Sequence, residues 1–170
     1  MGMFDQKVVF ITGGASGLGR ILVDEFVKEN ANVFFTYRNS EEKAREIIER
    51  YGERVWAVKA DASDIIDVKK SISECADKFG TIDVLINNAA SAQDATLEKI
   101  SDEAFRFTID NVLYPAVYYS KYASEIMIAN KAGKIINIGS INGLRGREGS
   151  VAYSTAKAGI IGFTKTIAKE

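Results

Sequence analysis

Tyr153 and Lys157 lie four residues apart in the run Tyr-Ser-Thr-Ala-Lys, with Ser140 thirteen residues before the tyrosine. In a helix, residues at i and i+4 share a face and reach one another. An ammonium beside a phenol favours the phenolate, because a nearby opposite charge stabilises the ionised form. Such a tyrosine can pass protons to or from a substrate oxygen. A chance pair on an exposed helix has the same spacing, and two residues alone do not exclude it. The chain contains no histidine, which removes Ser-His-Asp and Cys-His nucleophile systems, His-ligated zinc and any imidazole base. Proton chemistry must then fall to Tyr, Lys, Asp, Glu or Cys, and the Tyr–Lys pair gains weight.

Composition bounds the rest. At 170 residues the chain fits one domain and can bury a core, since the buried fraction rises with size. Apolar residues make up 46% and charged residues 26%, an ordinary balance for a soluble globular protein. Lys plus Arg number 22 and Asp plus Glu 23, for a formal net charge of −1. That balance favours neither nucleic acid nor an anionic membrane as partner. The start, Met-Gly-Met-Phe-Asp-Gln-Lys, lacks a signal-peptide pattern, and no apolar stretch is long enough to span a bilayer. Cys75, the single cysteine, cannot form an internal disulfide and fits no metal site; it reads as a buried filler on a helix. No metal is expected, and the location is read as cytoplasmic.

The elements that must position these residues follow from hydrophobic patterning. Val8–Thr12, Asn32–Thr36, Val55–Lys59, Val84–Asn87 and Lys134–Ile138 are near-continuous apolar runs, as suits a parallel sheet covered on both faces. Between them, Gly17–Glu29, Ser40–Tyr51, Asp64–Phe79, Asp102–Lys131 and Val151–Lys169 read as helices. Strand–helix alternation over the whole length predicts an α/β fold, a doubly wound parallel sheet in three layers. No linker, repeat or low-complexity run interrupts it, so residues 1–170 are expected to form a single domain.

Strand one ends in Ile11-Thr12-Gly13-Gly14-Ala15-Ser16-Gly17-Leu18-Gly19 and runs straight into a helix. Glycines there permit a tight turn, let backbone N–H groups approach a phosphate and allow the helix to pack close on the strand. The helix N-terminus offers a pyrophosphate its unsatisfied donors and positive dipole end. The spacing Gly-x-x-x-Gly-x-Gly is weak as a bare pattern and also fits a structural turn; its position after the first strand favours the binding role. After strand two, Phe35-Thr36-Tyr37-Arg38-Asn39-Ser40 carries no carboxylate before Glu41. An acid there would hold ribose hydroxyls, whereas Arg38 can grip a 2′-phosphate in bidentate fashion. NADP(H) is therefore favoured, with NAD(H) the alternative and a solvated surface arginine the bland one. Asp61, followed by Ala62, comes after strand three. Its carboxylate can accept from an adenine amino group or cap the next helix, although Ser63 or Asp64 is better placed to cap. Asn87-Asn88-Ala89-Ala90 ends strand four; its small residues let backbone lie against a cofactor, and its amides can tie neighbouring strands.

Together, Thr12-Gly13-x-x-x-Gly17-x-Gly19, Asn87-Asn88-Ala89-Ala90, Asn111, Ser140 and Tyr153-x-x-x-Lys157 resemble the short-chain dehydrogenase/reductase family, from about Lys7 to Glu170. Asn32–Arg38 and the catalytic segment are most similar to the branch of 3-oxoacyl carrier-protein reductases and sugar dehydrogenases. The resemblance implies a Rossmann-like domain and hydride transfer between a nicotinamide and a small carbonyl or alcohol substrate. Its cofactor-binding positions would be Gly13, Ser16, Gly17, Leu18, Gly19, Arg38, Asp61, Ala62, Asn88, Ala89, Tyr153 and Lys157. By the same resemblance Tyr153 is the acid/base, Lys157 lowers its pKa and holds the nicotinamide ribose, and Ser140 polarises the substrate oxygen. Ser140 can equally be a turn or cap residue.

Asn111 has a physical argument as well. Pro115 is the only proline and lies inside the helical stretch Asp102–Lys131. Lacking an N–H, it cannot bond the carbonyl four residues back, which belongs to Asn111. A kink is expected there, with an ordered water on the freed carbonyl; the family's matching Asn holds a water in a proton relay. Family members continue past the catalytic helix with two more strands, a substrate loop and a Pro-Gly segment. The sequence given ends at Glu170, so a shortened form with five strands, no substrate lid and uncertain turnover is expected. A catalytically poor dinucleotide-binding or self-assembling module is the alternative function. An epimerase or dehydratase sharing the Tyr–Lys machinery would need further substrate-binding segments. By the family resemblance, Asp102–Lys131 and Val151–Lys169 would pair with copies of themselves, giving a homodimer or homotetramer.

Overall fold

Every one of the five apolar runs forms a strand in the computed structural model, which describes residues 2–170. They are β1 (Val8–Ile11), β2 (Asn32–Tyr37), β3 (Val55–Lys59), β4 (Val84–Asn87) and β5 (Lys134–Asn137). The sheet order is β3-β2-β1-β4-β5. β1 pairs in parallel with β2 (Val8 opposite Asn32) and with β4 (Val9 opposite Val84), and β2 pairs in parallel with β3 (Val33 opposite Val55). All residues of β1 and β4 are buried, which is why these strands show no polar alternation: helices cover both faces. The order reverses direction between β1 and β4. In open α/β sheets that switch point, at the carboxyl ends of the strands, is where ligands bind.

The helices are α1 (Gly17–Lys28), α2 (Glu41–Tyr51), α3 (Ile65–Phe79), α4 (Asp102–Ala129), α5 (Asn142–Arg145) and α6 (Val151–Ile167). A single 3-10 turn, Gly52–Arg54, follows α2. That turn and the four-residue α5 carry too little periodicity to be read from sequence. α3 turns Val68, Ile72 and Cys75 inward, the spacing of one helical face. Asp64 caps it, accepting from the Ile66 N–H at 2.8 Å, and Gly80 ends it in the left-handed region at φ 79°. Cys75 is buried on this helix, and burial pushes its thiol pKa up, as expected for an inert filler. α4 continues through Pro115 as one helical element.

Two compact units make up the chain. The first runs to Ala89 and resumes over Tyr118–Ile136; the second comprises Ala90–Val117 and Asn137–Glu170. The first holds an apolar cluster on the sheet, in which Phe10 stacks on Phe34 at 5.0 Å and tilts against Tyr119 at 5.4 Å. The second has a smaller cluster of Val112, Ala116, Ala156 and Ile160, with Tyr153 packed against it. Among the described residues, no helix is long and apolar enough to cross a membrane.

Candidate active site

In the first unit, the loop after β1 is fixed by bonds from the Thr12 and Asn88 side chains to the main chain. Thr12 Oγ1 accepts from the N–H groups of Asn88 and Ala89, each at 2.9 Å. The Asn88 side-chain amide donates to the carbonyls of Thr12 at 3.0 Å and Gly13 at 3.1 Å. The ends of β1 and β4 are therefore tied together by Thr12 and Asn88, one of the two roles the sequence left open for Asn88. Asn87 is buried and donates to Ser120 Oγ at 3.0 Å. Gly13 has φ +69°, and a Cβ on Gly19 would collide with the Gly13 carbonyl and stand 2.7 Å from Asn88 Nδ2. Helix and strand approach this closely only because residue 19 has no side chain.

The open side of the loop is the start of α1. Ser16 occupies its N-cap in extended conformation without a side-chain cap bond, and no acid lies in the first turn. Gly17 has φ +54°, and nothing lies within 4 Å of where its Cβ would stand. Ser16, Gly17 and Leu18 are exposed. Uncapped N–H groups with the positive end of the helix dipole, reached past a residue without a side chain, fit the pyrophosphate of a dinucleotide.

Arg38 and Asp61 meet in the same unit. Arg38 Nη1 lies 3.7 Å from Asp61 Oδ2, with both side chains part-exposed. Asp61 Oδ1 accepts from the Ser63 amide at 2.9 Å and its hydroxyl at 2.7 Å. Burial pushes the Asp61 pKa up, but the Ser63 hydrogen bonds and the Arg38 charge together hold it below the ordinary carboxylate value. Asp61 thus turns one oxygen to Ser63 and the other toward Arg38, while the helix cap falls to Asp64. Ala62 packs against the apolar cluster of this unit.

In the second unit, Tyr153 and Lys157 share a face of α6, with the Lys157 ammonium 5.6 Å from the centroid of the Tyr153 ring. Lys157 is 3% exposed, and its Nζ donates to the Ile138 carbonyl just beyond β5. Burial pulls its pKa below the ordinary lysine value. Gly143 of α5 packs on the main chain of α6 at this point; a Cβ there would stand 2.7 Å from the Lys157 carbonyl carbon. Ser140 Oγ accepts from the Asn142 N–H at 3.2 Å, the turn role, which leaves its hydroxyl proton to donate elsewhere.

The carbonyl of Asn111, released by Pro115, accepts from the Ser91 N–H at 3.3 Å. A protein amide rather than a water alone therefore meets it. The Asn111 side chain donates to the Phe107 carbonyl at 2.9 Å.

Asp94 was missed by sequence reasoning. Its Oδ2 accepts from the Ser150 hydroxyl at 2.6 Å and its Oδ1 from the Tyr153 N–H at 3.0 Å. The available signal was slight: Asp94 is the only acid between Asp83 and Glu98. No group of three or more His, Cys, Asp or Glu that could hold a metal occurs among the described residues.

Residues 7–170 match the short chain dehydrogenase family. Among similar curated proteins, the 3-oxoacyl acyl-carrier-protein reductase of Vibrio harveyi is 35% identical over 166 residues, covering 98% of this chain and 68% of that protein. The enzyme of the same name from Synechocystis is 38% identical over 168 residues, covering 96% and 68%. That of Staphylococcus aureus is 34% identical over 167 residues, with the same coverage. The chain belongs to the short-chain dehydrogenase family and is an NAD(P)-dependent oxidoreductase of that family.

Proposed function

We propose that this protein transfers a hydride between NADP(H) and a small carbonyl or alcohol substrate, using Ser140, Tyr153 and Lys157. The names of the similar proteins point to a 3-oxoacyl thioester as the carbonyl compound. The carrying observation is the buried Lys157 ammonium on the Tyr153 face of α6. A buried cation is costly unless paired or put to use. Here a single backbone carbonyl receives one of its three protons.

When bound, the reduced nicotinamide supplies the hydride that reaches the carbonyl carbon. Tyr153 gives its phenol proton to the carbonyl oxygen as that oxygen gains charge, and the product is the alcohol. In the reverse direction its phenolate takes the proton back. The remaining donors of Lys157 suit ribose hydroxyls. Ser140 donates its hydroxyl proton to the same substrate oxygen and stabilises developing negative charge. By the family resemblance, Asn111 holds a water that returns protons from solvent. The uncapped turn Gly13–Gly19 takes the pyrophosphate, with Ser16 and Leu18 on its open side and Asn88 and Ala89 holding its base. Arg38, steered by Asp61, takes the 2′-phosphate. A cytoplasmic location belongs to this reading, as does self-association through α4 and α6, where Tyr114 and Ile128 of α4 expose apolar surface.

The test is titration with NADPH and NADH, then NADPH oxidation over a panel of 3-oxoacyl thioesters and simple ketones. Tighter NADPH binding and thioester-dependent oxidation are expected. Arg38→Ala should cost about 10- to 100-fold in NADPH affinity, the value of a charged hydrogen bond, and leave NADH binding unchanged. Equal losses for both coenzymes would refute the role of Arg38.

A further inference from the structure

We propose that Asp94 is a positioning residue that sets the location of Tyr153 by clamping the start of α6, an inference resting on the acid/base reading of Tyr153. α6 lacks a cap of its own: Ser150 at its N-cap makes no side-chain cap bond, and its first turn carries no acid. The Ser150 hydroxyl instead donates to Asp94, whose other oxygen accepts from the N–H of Tyr153. Tyr153 is the third helical residue, so its N–H has no acceptor within the helix. A carboxylate at that end also meets the positive end of the helix dipole. The capping group is thus bonded to the backbone of the very residue that carries the phenol.

The loop bearing Asp94 is itself anchored. Thr108 Oγ1 accepts from the Gln93 N–H and donates to the Gln93 carbonyl, each at 2.9 Å. Ser91 donates to the Asn111 carbonyl, which is available because residue 115 is proline. Thr108 and Asn111 are three residues apart and share one face of α4. Two stitches on that face therefore hold residues 91–93, and the next residue reaches α6. Pro115, in this account, serves Tyr153 by releasing the carbonyl that fixes the loop.

The test compares Asp94→Ala, Asp94→Asn and Ser150→Ala with the unaltered protein. Asn retains an oxygen that can accept from the Tyr153 N–H; Ala retains nothing. Asp94→Ala should lower kcat about 10- to 100-fold, the effect of displacing a reacting group by about 1 Å, with the coenzyme Kd unchanged. Asp94→Asn should restore most of the loss, and Ser150→Ala should have the smallest effect. The phenol is also observable without turnover, from a 13Cζ-tyrosine NMR spectrum in which the Tyr153 signal is the one lost in Tyr153→Phe. Asp94→Ala should shift or broaden that signal, and Asp94→Asn should leave it in place. An unchanged Tyr153 signal in Asp94→Ala overturns the proposal whatever the turnover. Equal kcat losses in Asp94→Ala and Asp94→Asn overturn it too, because charge and not position would then be responsible. Turnover that survives Tyr153→Phe contradicts the acid/base assignment and leaves the clamp standing.

Discussion

Within each of the two compact units a different balance of forces gives the structure its definition. In the first, apolar burial dominates: β1 and β4 are buried at every residue, and Phe10, Phe34 and Tyr119 fill the space against the sheet. In the second, the buried apolar cluster has four small or medium residues, and hydrogen bonds supply much of the definition. Asp94 binds α6, Thr108 binds Gln93, Asn137 donates to Thr164 at 2.9 Å, and Lys157 reaches Ile138. The difference follows the chemistry proposed for each. A phosphate site made of backbone N–H groups needs only a main chain locked in shape, and a dense core provides that. A proton-transfer site needs a cation kept from water, which apolar packing alone would destabilise. Directional bonds hold such a group where packing cannot.

Core truncation gives the largest contrast. Phe34→Ala should cost about 3–5 kcal/mol of stability, the usual range for a buried aromatic, whereas Ile160→Val in the second unit should cost about 0.5–1.5 kcal/mol. Urea unfolding reads both, and equal costs would break the comparison.

Much of the first unit was legible in the sequence because its signals are local. Continuous apolar runs marked all five strands to within a residue or so of their ends. The glycine spacing marked the turn, since φ +69° at Gly13 and +54° at Gly17 favour glycine strongly. The Tyr153–Lys157 pairing was legible too, because one helical turn sets it. What escaped depends on distant partners. Nothing near Asp94 announces that its carboxylate will be used by residues 56 and 59 positions later. Arg38 was legible as a cation and Asp61 as an acceptor, but their approach to 3.7 Å was not. Pro115 marked a freed carbonyl correctly, while its partner, Ser91, became visible only in the fold.

The smallest contrast is in alkali, where the two units respond with opposite sign. Burial, the main cause, pushes the Tyr119 pKa up to about 12. Its stabilising contribution is full below the unfolded pKa and lost as pH rises from there through the folded value. The difference should reach about 1 kcal/mol near pH ~11. Burial lowers the Lys157 pKa below 10.5, so the unfolded chain binds more protons in that window and this contribution to stability rises with pH. Tyr119→Phe should remove the first slope and Lys157→Met the second, in urea unfolding followed between pH ~8 and ~11. Slopes of the same sign would contradict the assignment.

The central claim is a division of labour: backbone holds the coenzyme in one unit while the Tyr153 phenol moves the proton in the other. Its most direct test is Tyr153→Phe, with NADPH affinity and turnover at saturating substrate measured on the same preparation. Turnover should fall about 10²- to 10⁴-fold, the usual contribution of a positioned acid/base group, while the NADPH dissociation constant stays at the value of the unaltered protein. Turnover at the original rate, or equal losses of binding and turnover, would contradict the claim.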